Sequence, residues 1–206
     1  MNEKTKKKIL KYLEKLLGIR ILGQIFNRIF WDLKAEPMHK TWGKLKGDYD
    51  ILNNIFKDIL PSKILDIGCG SGRLFDLYKE NDFINEVLAQ DISKRALKIA
   101  EGRKSDKIIL TNKSIKKIFK EKKNYFDLII SNRVLSTIPP QIINEYCKYL
   151  SLMSPKIYIN EYMESDFTTE SNYLFIHDYE KIFKKHSFEI CKKGMLGKQT
   201  WILFTR

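Results

Sequence analysis

The sequence predicts a single α/β domain, with a mostly parallel sheet covered by helices on both faces and a helical extension in front of it. Three observations carry that prediction. Strand-like and helix-like stretches alternate from about residue 49 onward, as parallel sheets with helical crossovers require. The run Ile64-Leu65-Asp66-Ile67 leads directly into Gly68, Gly70 and Gly72 and then into a helical pattern at Arg73-Leu74, a strand–turn–helix unit suited to a nucleotide cofactor. At 206 residues and 43% hydrophobic content, the chain can bury one substantial core but not a second full domain.

Residues 1–45 read as the extension and 46–206 as the domain. In the extension Ile9, Leu13, Leu16 and Leu17 share a helical face. After Gly18 the polar residues Arg20, Gln24, Arg28 and Asp32 recur every four positions against Ile21, Leu22, Ile25, Phe26, Ile29, Phe30 and Trp31. So broad an apolar surface needs a cover. Three remain open: the domain itself, with the helix as a lid over the cofactor; a membrane interface beside Lys6-Lys7-Lys8; or a protein partner, including a second copy. Trp42, in Thr41-Trp42-Gly43, is expected in the same acceptor-side cover. Glu14, Arg20, Arg28 and Asp32 interrupt the apolar run, so neither a secretory signal nor a transmembrane span is expected.

The domain then reads in order as a helix over 49–59, strands at 63–67, 86–91, 107–111, 126–131 and 156–161, and helices between them, one running from Ser93 to Gly102. The tail changes character: a helix over 179–186, a strand over 188–192, a Gly194–Gly197 turn and a strand over 200–204, which together predict an antiparallel hairpin. No repeat or low-complexity linker interrupts the pattern. The net charge of +13 comes from lysines spread along the whole chain, which fits solvated faces. It permits contact with nucleic acid or anionic lipid and establishes neither. Cys69, Cys147 and Cys191 are too few and too scattered for a disulfide framework or a zinc site, so the expected setting is cytoplasmic, with membrane contact confined to the extension.

Glycine spacing narrows the cofactor. Gly68, Gly70 and Gly72 give G-x-G-x-G, whereas a pyrophosphate loop wants G-x-G-x-x-G, and position 73 is Arg. Asp66, two residues before the first glycine, would repel a pyrophosphate and suits an ammonium group. The segment LDIGCGSGRL therefore resembles the first motif of the class I S-adenosylmethionine-dependent methyltransferases, and the resemblance extends over about residues 45 to 206. A second acid tests it. Asp91 ends the strand Val87-Leu88-Ala89-Gln90 about 20 residues past the glycines, where a Rossmann-like site sets a carboxylate on ribose hydroxyls. Taken alone, Asp91 could equally cap the next helix, a task Ser93 could share.

The resemblance implies a Rossmann-like seven-stranded methyltransferase sheet of order 3-2-1-4-5-7-6, with the last strand antiparallel. It also implies S-adenosylmethionine as cofactor, held by Asp66, Gly68, Cys69, Gly70, Gly72, Asp91, Ile92, Ser114, Ile115, Ser131 and Asn132. Ser114 is a departure, since relatives often carry an Asp there for the adenine amine; its hydroxyl and the Ile115 amide are the substitutes. Ser131 or Asn132 would face the methionine portion through backbone carbonyls.

A sulfonium methyl is already activated, so the protein must chiefly align an acceptor lone pair and exclude water. No metal is required. A hydroxyl or ammonium acceptor also needs a base, for which His177, Glu161 and Tyr162 are the candidates, with Tyr158 and His39 behind them. His177 serves equally well in capping or packing. Ser131-Asn132-Arg133-Val134 lacks the Pro-Pro-aromatic sequence of many nucleobase amino-methylating enzymes, and Pro139-Pro140 reads as the start of the next helix. Ser136-Thr137 stands where many small-molecule enzymes of the family carry His-His. Two functions stay open: methyl transfer to oxygen or nitrogen of a small-molecule or lipid-like acceptor, or a non-catalytic cofactor-binding partner of a nucleic-acid or protein methyltransferase.

Overall fold

The computed structural model describes residues 20–42, 48–163 and 174–206, together with Thr5 and Ile9. Its strands are β1 (Lys63–Ile67), β2 (Glu86–Gln90), β3 (Ile108–Thr111), β4 (Leu128–Asn132), β5 (Lys156–Glu161), β6 (Glu189–Leu196) and β7 (Gln199–Thr205). They form one sheet in the order β3-β2-β1-β4-β5-β7-β6. The first five pair in parallel, and β7 runs antiparallel between β5 and β6. The order and the reversed last strand are those the resemblance implies.

Helices α1 (Arg20–Trp42), α2 (Tyr49–Ile59), α3 (Phe75–Lys79), α4 (Lys94–Glu101), α5 (Ile115–Glu121), α6 (Ile143–Ser151) and α7 (Tyr179–Lys184) accompany the sheet. Central strands here carry apolar residues at successive positions, because both faces are covered. Ile64, Leu128, Ile130 and Tyr158 pack toward α2 and α3. Leu65, Ile67, Ile129, Ile157 and Ile159 pack toward α5, α6 and α7. The carboxyl ends of the parallel strands consequently share one edge, with Ile67 level with Gln90 on one side and Ser131 on the other.

Three local expectations are corrected. The terminal hairpin is longer than its sequence suggested: Gly194 lies within β6, where the Trp201 ring occupies the space a side chain would take, and the chain turns at Gly197-Lys198. Pro139-Pro140 does not begin α6. The Pro139 carbonyl instead accepts the amides of Ile142 and Ile143 at 3.0 and 3.2 Å, forming the turn that delivers the helix. Finally, α7 stops at Lys184, two residues before His186. Leu13, Leu16, Leu17, the Lys6-Lys7-Lys8 run and the side chain of Trp42 lie outside the described residues. No described helix is long and apolar enough to cross a membrane.

Candidate functional site

The loop leaving β1 is tied to its neighbours through its backbone. The Cys69 amide donates to Gln90 O at 3.0 Å and the Gly72 amide to Cys69 O at 3.0 Å. Gly68 has φ +64°, and a Cβ there would meet Val134 Cγ2 at 2.2 Å. Gly70, at φ +57°, would meet nothing within 4 Å. Bare backbone thus faces open space at the centre of the loop, the condition a ligand needs to approach the main chain.

Asp91 reaches across from the end of β2. Its Oδ2 accepts the Gly70 amide at 2.9 Å and its Oδ1 accepts the Ser93 amide at 2.7 Å. The capping alternative for Asp91 is settled by Ser93, whose own Oγ accepts the Ala96 amide at 3.0 Å and caps α4. Burial pushes the Asp91 carboxyl up to about 6 against the pull of the Ser93 and Gly70 amides, and nearby Asp32 adds to the rise. Asp66 is 3% exposed. Burial pushes its carboxyl up to about 7, with Tyr78 and Arg73 opposing and Asp91 reinforcing. Two buried acids held above their ordinary range on either side of a bare loop are an environment that a cation would relieve.

The other expected cofactor contacts sit along the same edge. Ile92, just beyond β2, exposes 37% of its surface and offers an apolar platform. Ser114 caps α5, its Oγ accepting the Lys117 amide at 3.4 Å, and Ile115 begins that helix with an amide that has no intrahelical acceptor. Cys69 is 7% exposed, and burial keeps its thiol protonated. Ser131 is fully buried and turns its hydroxyl to Glu161 at 3.3 Å.

The base candidates separate. Glu161, 0% exposed, uses Oε1 to accept the amides of Val134 and Leu135 at 2.9 and 2.8 Å, and Oε2 to accept that of Ser136 at 3.1 Å. It pins the 3-10 turn Leu135–Thr137 behind β4. Burial raises its carboxyl and these amides restrain the rise. His177 donates from Nε2 to Ile138 O at 2.8 Å and stands edge-on to Tyr179, with burial pulling its pKa down. Both support the loop after β4. Tyr162, half-buried, follows β5 directly. His39 lands elsewhere, with Nδ1 bonded to Ser71 Oγ at 2.8 Å on the glycine loop itself.

His39 arrives there on α1, which runs through Pro37 without a break. Along the same helix Asp32 Oδ1 accepts Ser93 Oγ at 2.7 Å and the Arg95 amide at 3.1 Å, while Glu36 pairs with Arg95. Phe30 is completely buried. Sequence reading also missed Asp48, which directly precedes α2 without capping it by its side chain and instead accepts Arg73 and Arg133. The dipeptide Gly-Asp before a helix signals a cap, so nothing local revealed that role. Among the described residues, no three His, Cys, Asp or Glu side chains group as a metal site.

Residues 61–192 match the family model described as a methyltransferase domain. No curated protein matches this sequence. Among solved structures, magnesium protoporphyrin IX methyltransferase from Synechocystis PCC 6803, with bound S-adenosylhomocysteine, superposes with a TM-score of 0.65 at 17% identity, over 77% of this chain and 81% of that one. The 1,6-didemethyltoxoflavin-N1-methyltransferase of Burkholderia thailandensis, with bound 1,6-didemethyltoxoflavin and S-adenosylhomocysteine, gives a TM-score of 0.70 at 13% identity, over 89% of this chain and 88% of that one. At such identities these likenesses concern the fold.

Proposed function

Because this chain belongs to the methyltransferase-domain family, we propose that it transfers the methyl group of S-adenosylmethionine to an oxygen or nitrogen of a small-molecule or lipid-like acceptor. One observation carries the reading: Gly70 presents bare backbone to open space while its amide is held by the buried carboxylate of Asp91, and a second buried carboxylate, Asp66, lies close enough to feel the charge of Asp91, both raised by burial. When bound, the cofactor supplies an activated methyl on a sulfonium. Asp66 receives its ammonium group and regains a full negative charge. Asp91 keeps its two backbone amides and uses the remaining lone pairs of its oxygens for the ribose hydroxyls. Ile92 and the start of α5 flank the adenine.

The rest of the machinery is positional. Glu161 and His177 fix the turn after β4, so the wall beside the methyl is rigid when the acceptor arrives. The α1 helix serves as a lid: Asp32 and His39, seven residues and about 10 Å apart along the helix, are tied to α4 and to the glycine loop respectively. That span covers the nucleoside position and excludes water from it.

Isothermal calorimetry with S-adenosylhomocysteine tests the cofactor site, and no heat of binding would refute it. The acceptor is found by incubating cell extracts with the protein and methyl-labelled S-adenosylmethionine, then reading labelled products by mass spectrometry.

A further inference from the structure

A second polar centre lies beside the proposed cofactor site, on the sheet face that carries α2. Asp48 is 1% exposed and accepts three side chains. Its Oδ2 takes Arg73 Nη1 at 2.5 Å and Arg133 Nη2 at 3.4 Å, and its Oδ1 takes Asn160 Nδ2 at 2.5 Å. These residues come from four separate places: the residue before α2, the end of the glycine loop, the end of β4 and β5. Two guanidinium groups thus converge on one carboxylate oxygen, and the Arg133 contact is the looser of the two.

Arg133 is held there against its backbone preference. Its φ is +62°, a left-handed conformation that an arginine rarely takes. Its amide donates to Asn160 O at 2.9 Å and its Nε to Asn132 Oδ1 at 3.0 Å, so the strained residue is fixed from both sides. Three buried polar atoms around the pair have no hydrogen-bond partner: Asn132 Nδ2, Asn160 Oδ1 and the Tyr158 hydroxyl. Asn132 bonds Arg133, Asn160 bonds Asp48, and the Tyr158 hydroxyl lies within the field of Asp48, Arg73 and Arg133. Unmet donors and acceptors at a buried cationic centre mark a place where polar ligand atoms are expected. Position adds the direction. Arg73 follows Gly72 and Arg133 follows β4, so the centre lies on the methionine side of the loop, away from β2 and β3 where the nucleoside belongs.

We infer that the methyl acceptor is a carboxylic acid, and that its carboxylate docks on Arg133 beside Asn132 while Arg73 keeps Asp48. This inference rests on the cofactor reading above. A planar guanidinium fork matches a planar carboxylate in two parallel hydrogen bonds, and the Asn132 amide supplies a further donor.

The test uses the full chain, Arg133→Met and Arg133→Lys, each checked for folding by thermal melting. Calorimetry first measures S-adenosylhomocysteine and 5′-methylthioadenosine. Cell extract is then split by anion exchange and supplied with methyl-labelled S-adenosylmethionine, with one portion of the retained fraction amidated by carbodiimide and methylamine and another treated with phosphatase. The expected result is label in the retained fraction, lost on amidation and kept after phosphatase. Arg133→Met should need about tenfold or more of that fraction for half-maximal labelling, the scale of one charge-assisted hydrogen bond, with S-adenosylhomocysteine affinity within about twofold of wild type and partial rescue in Arg133→Lys. Label in the unretained fraction, label that survives amidation, or loss on phosphatase treatment overturns the inference. So does an Arg133→Met defect seen with S-adenosylhomocysteine and absent with 5′-methylthioadenosine, because the carboxylate would then be the cofactor's own. If wild type binds no S-adenosylhomocysteine, the cofactor reading itself has failed, and calorimetry reports that separately.

Discussion

Asp91 is joined to Gly70 without help from a ligand, the Gly70 amide donating to its Oδ2 at 2.9 Å. One side chain therefore sets the height of the glycine loop and also offers the lone pairs assigned to the ribose. Asp91→Ala should weaken S-adenosylhomocysteine binding by about 1–3 kcal/mol. Asp91→Asn, which keeps one carbonyl oxygen, should lose less. Calorimetry on both variants checks the order, and equal affinities for Asp91→Ala and wild type would remove Asp91 from the site.

Gly68 and Gly70 share a left-handed conformation and differ in what surrounds them. An alanine at Gly68 drives its Cβ to 2.2 Å from Val134 Cγ2, whereas one at Gly70 meets nothing within 4 Å. Gly68→Ala should therefore destabilise the fold by roughly 2 kcal/mol or more, and Gly70→Ala by about 1 kcal/mol, the cost of the backbone conformation alone. Cofactor affinity should reverse that order of specificity: Gly70→Ala stays folded and loses binding. Urea denaturation paired with calorimetry separates the two effects.

Titration of Asp66 supplies a pH signature. The folded chain holds this carboxyl at about 7 against 3.8 for the ordinary group, so between those values the folded state retains a proton that the unfolded state has released. Stability of the free protein should fall as pH rises from about 4 to 7 on this account. An ammonium partner favours the charged form, so cofactor binding below pH 7 should release a proton, and affinity should climb with pH and level off near neutrality. Asp91, raised to about 6, steepens the lower part of the rise. Calorimetry at pH 6 in buffers of different ionisation enthalpy counts the proton. Asp66→Asn should abolish most of the release while raising the melting temperature of the free protein at pH 8.

Glu161 gives a prediction of the opposite kind, stability without chemistry. Removing its carboxylate leaves the amides of Val134, Leu135 and Ser136 without their acceptor. Glu161→Ala should cost about 2–4 kcal/mol in urea denaturation. Glu161→Gln should cost less, and its labelling rate per folded molecule should stay near wild type. A large rate loss in a fully folded Glu161→Gln would return Glu161 to the list of bases.

The difference between Asp66 and Asp48 shows what could be read without coordinates. Asp66 lies two positions from a glycine triplet, so strand, turn and acid form one local signal. Asp48 acts through Arg73, Arg133 and Asn160, residues up to 112 positions away in sequence, and only the sheet order brings them together. The strands were legible because buried parallel strands are continuous apolar runs, as in Leu128-Ile129-Ile130. The end of β6 was not, since Gly194 reads as a turn until Trp201 is known to cover it. The direction of α1 was open for a similar reason: its apolar residues demanded a cover, and among the described residues the hydrogen bonds and ion pairs that aim it at the domain come from polar ones, Asp32, Glu36 and His39.

Those ties make the lid testable. Asp32 holds α1 to Ser93 and Arg95 and His39 holds it to Ser71 on the glycine loop, contacts that cross from the extension to the domain, while Asp32 also pairs with Arg28 within the helix. A cofactor beneath the helix can leave only when they open, so the double variant Asp32→Ala, His39→Ala should speed S-adenosylhomocysteine release by about tenfold or more, at roughly 1 kcal/mol for each lost hydrogen bond. Association should change less, because it is limited by diffusion and orientation and not by the strength of the closed state. Asp32→Ala alone also removes a negative charge that pushes Asp91 upward, so its effect should shrink below pH 6, where Asp91 is protonated in the free protein. Stopped-flow displacement at pH 5.5 and pH 8 reads both effects, and release rates equal to wild type at both pH values would show that α1 is a scaffold helix and not a lid.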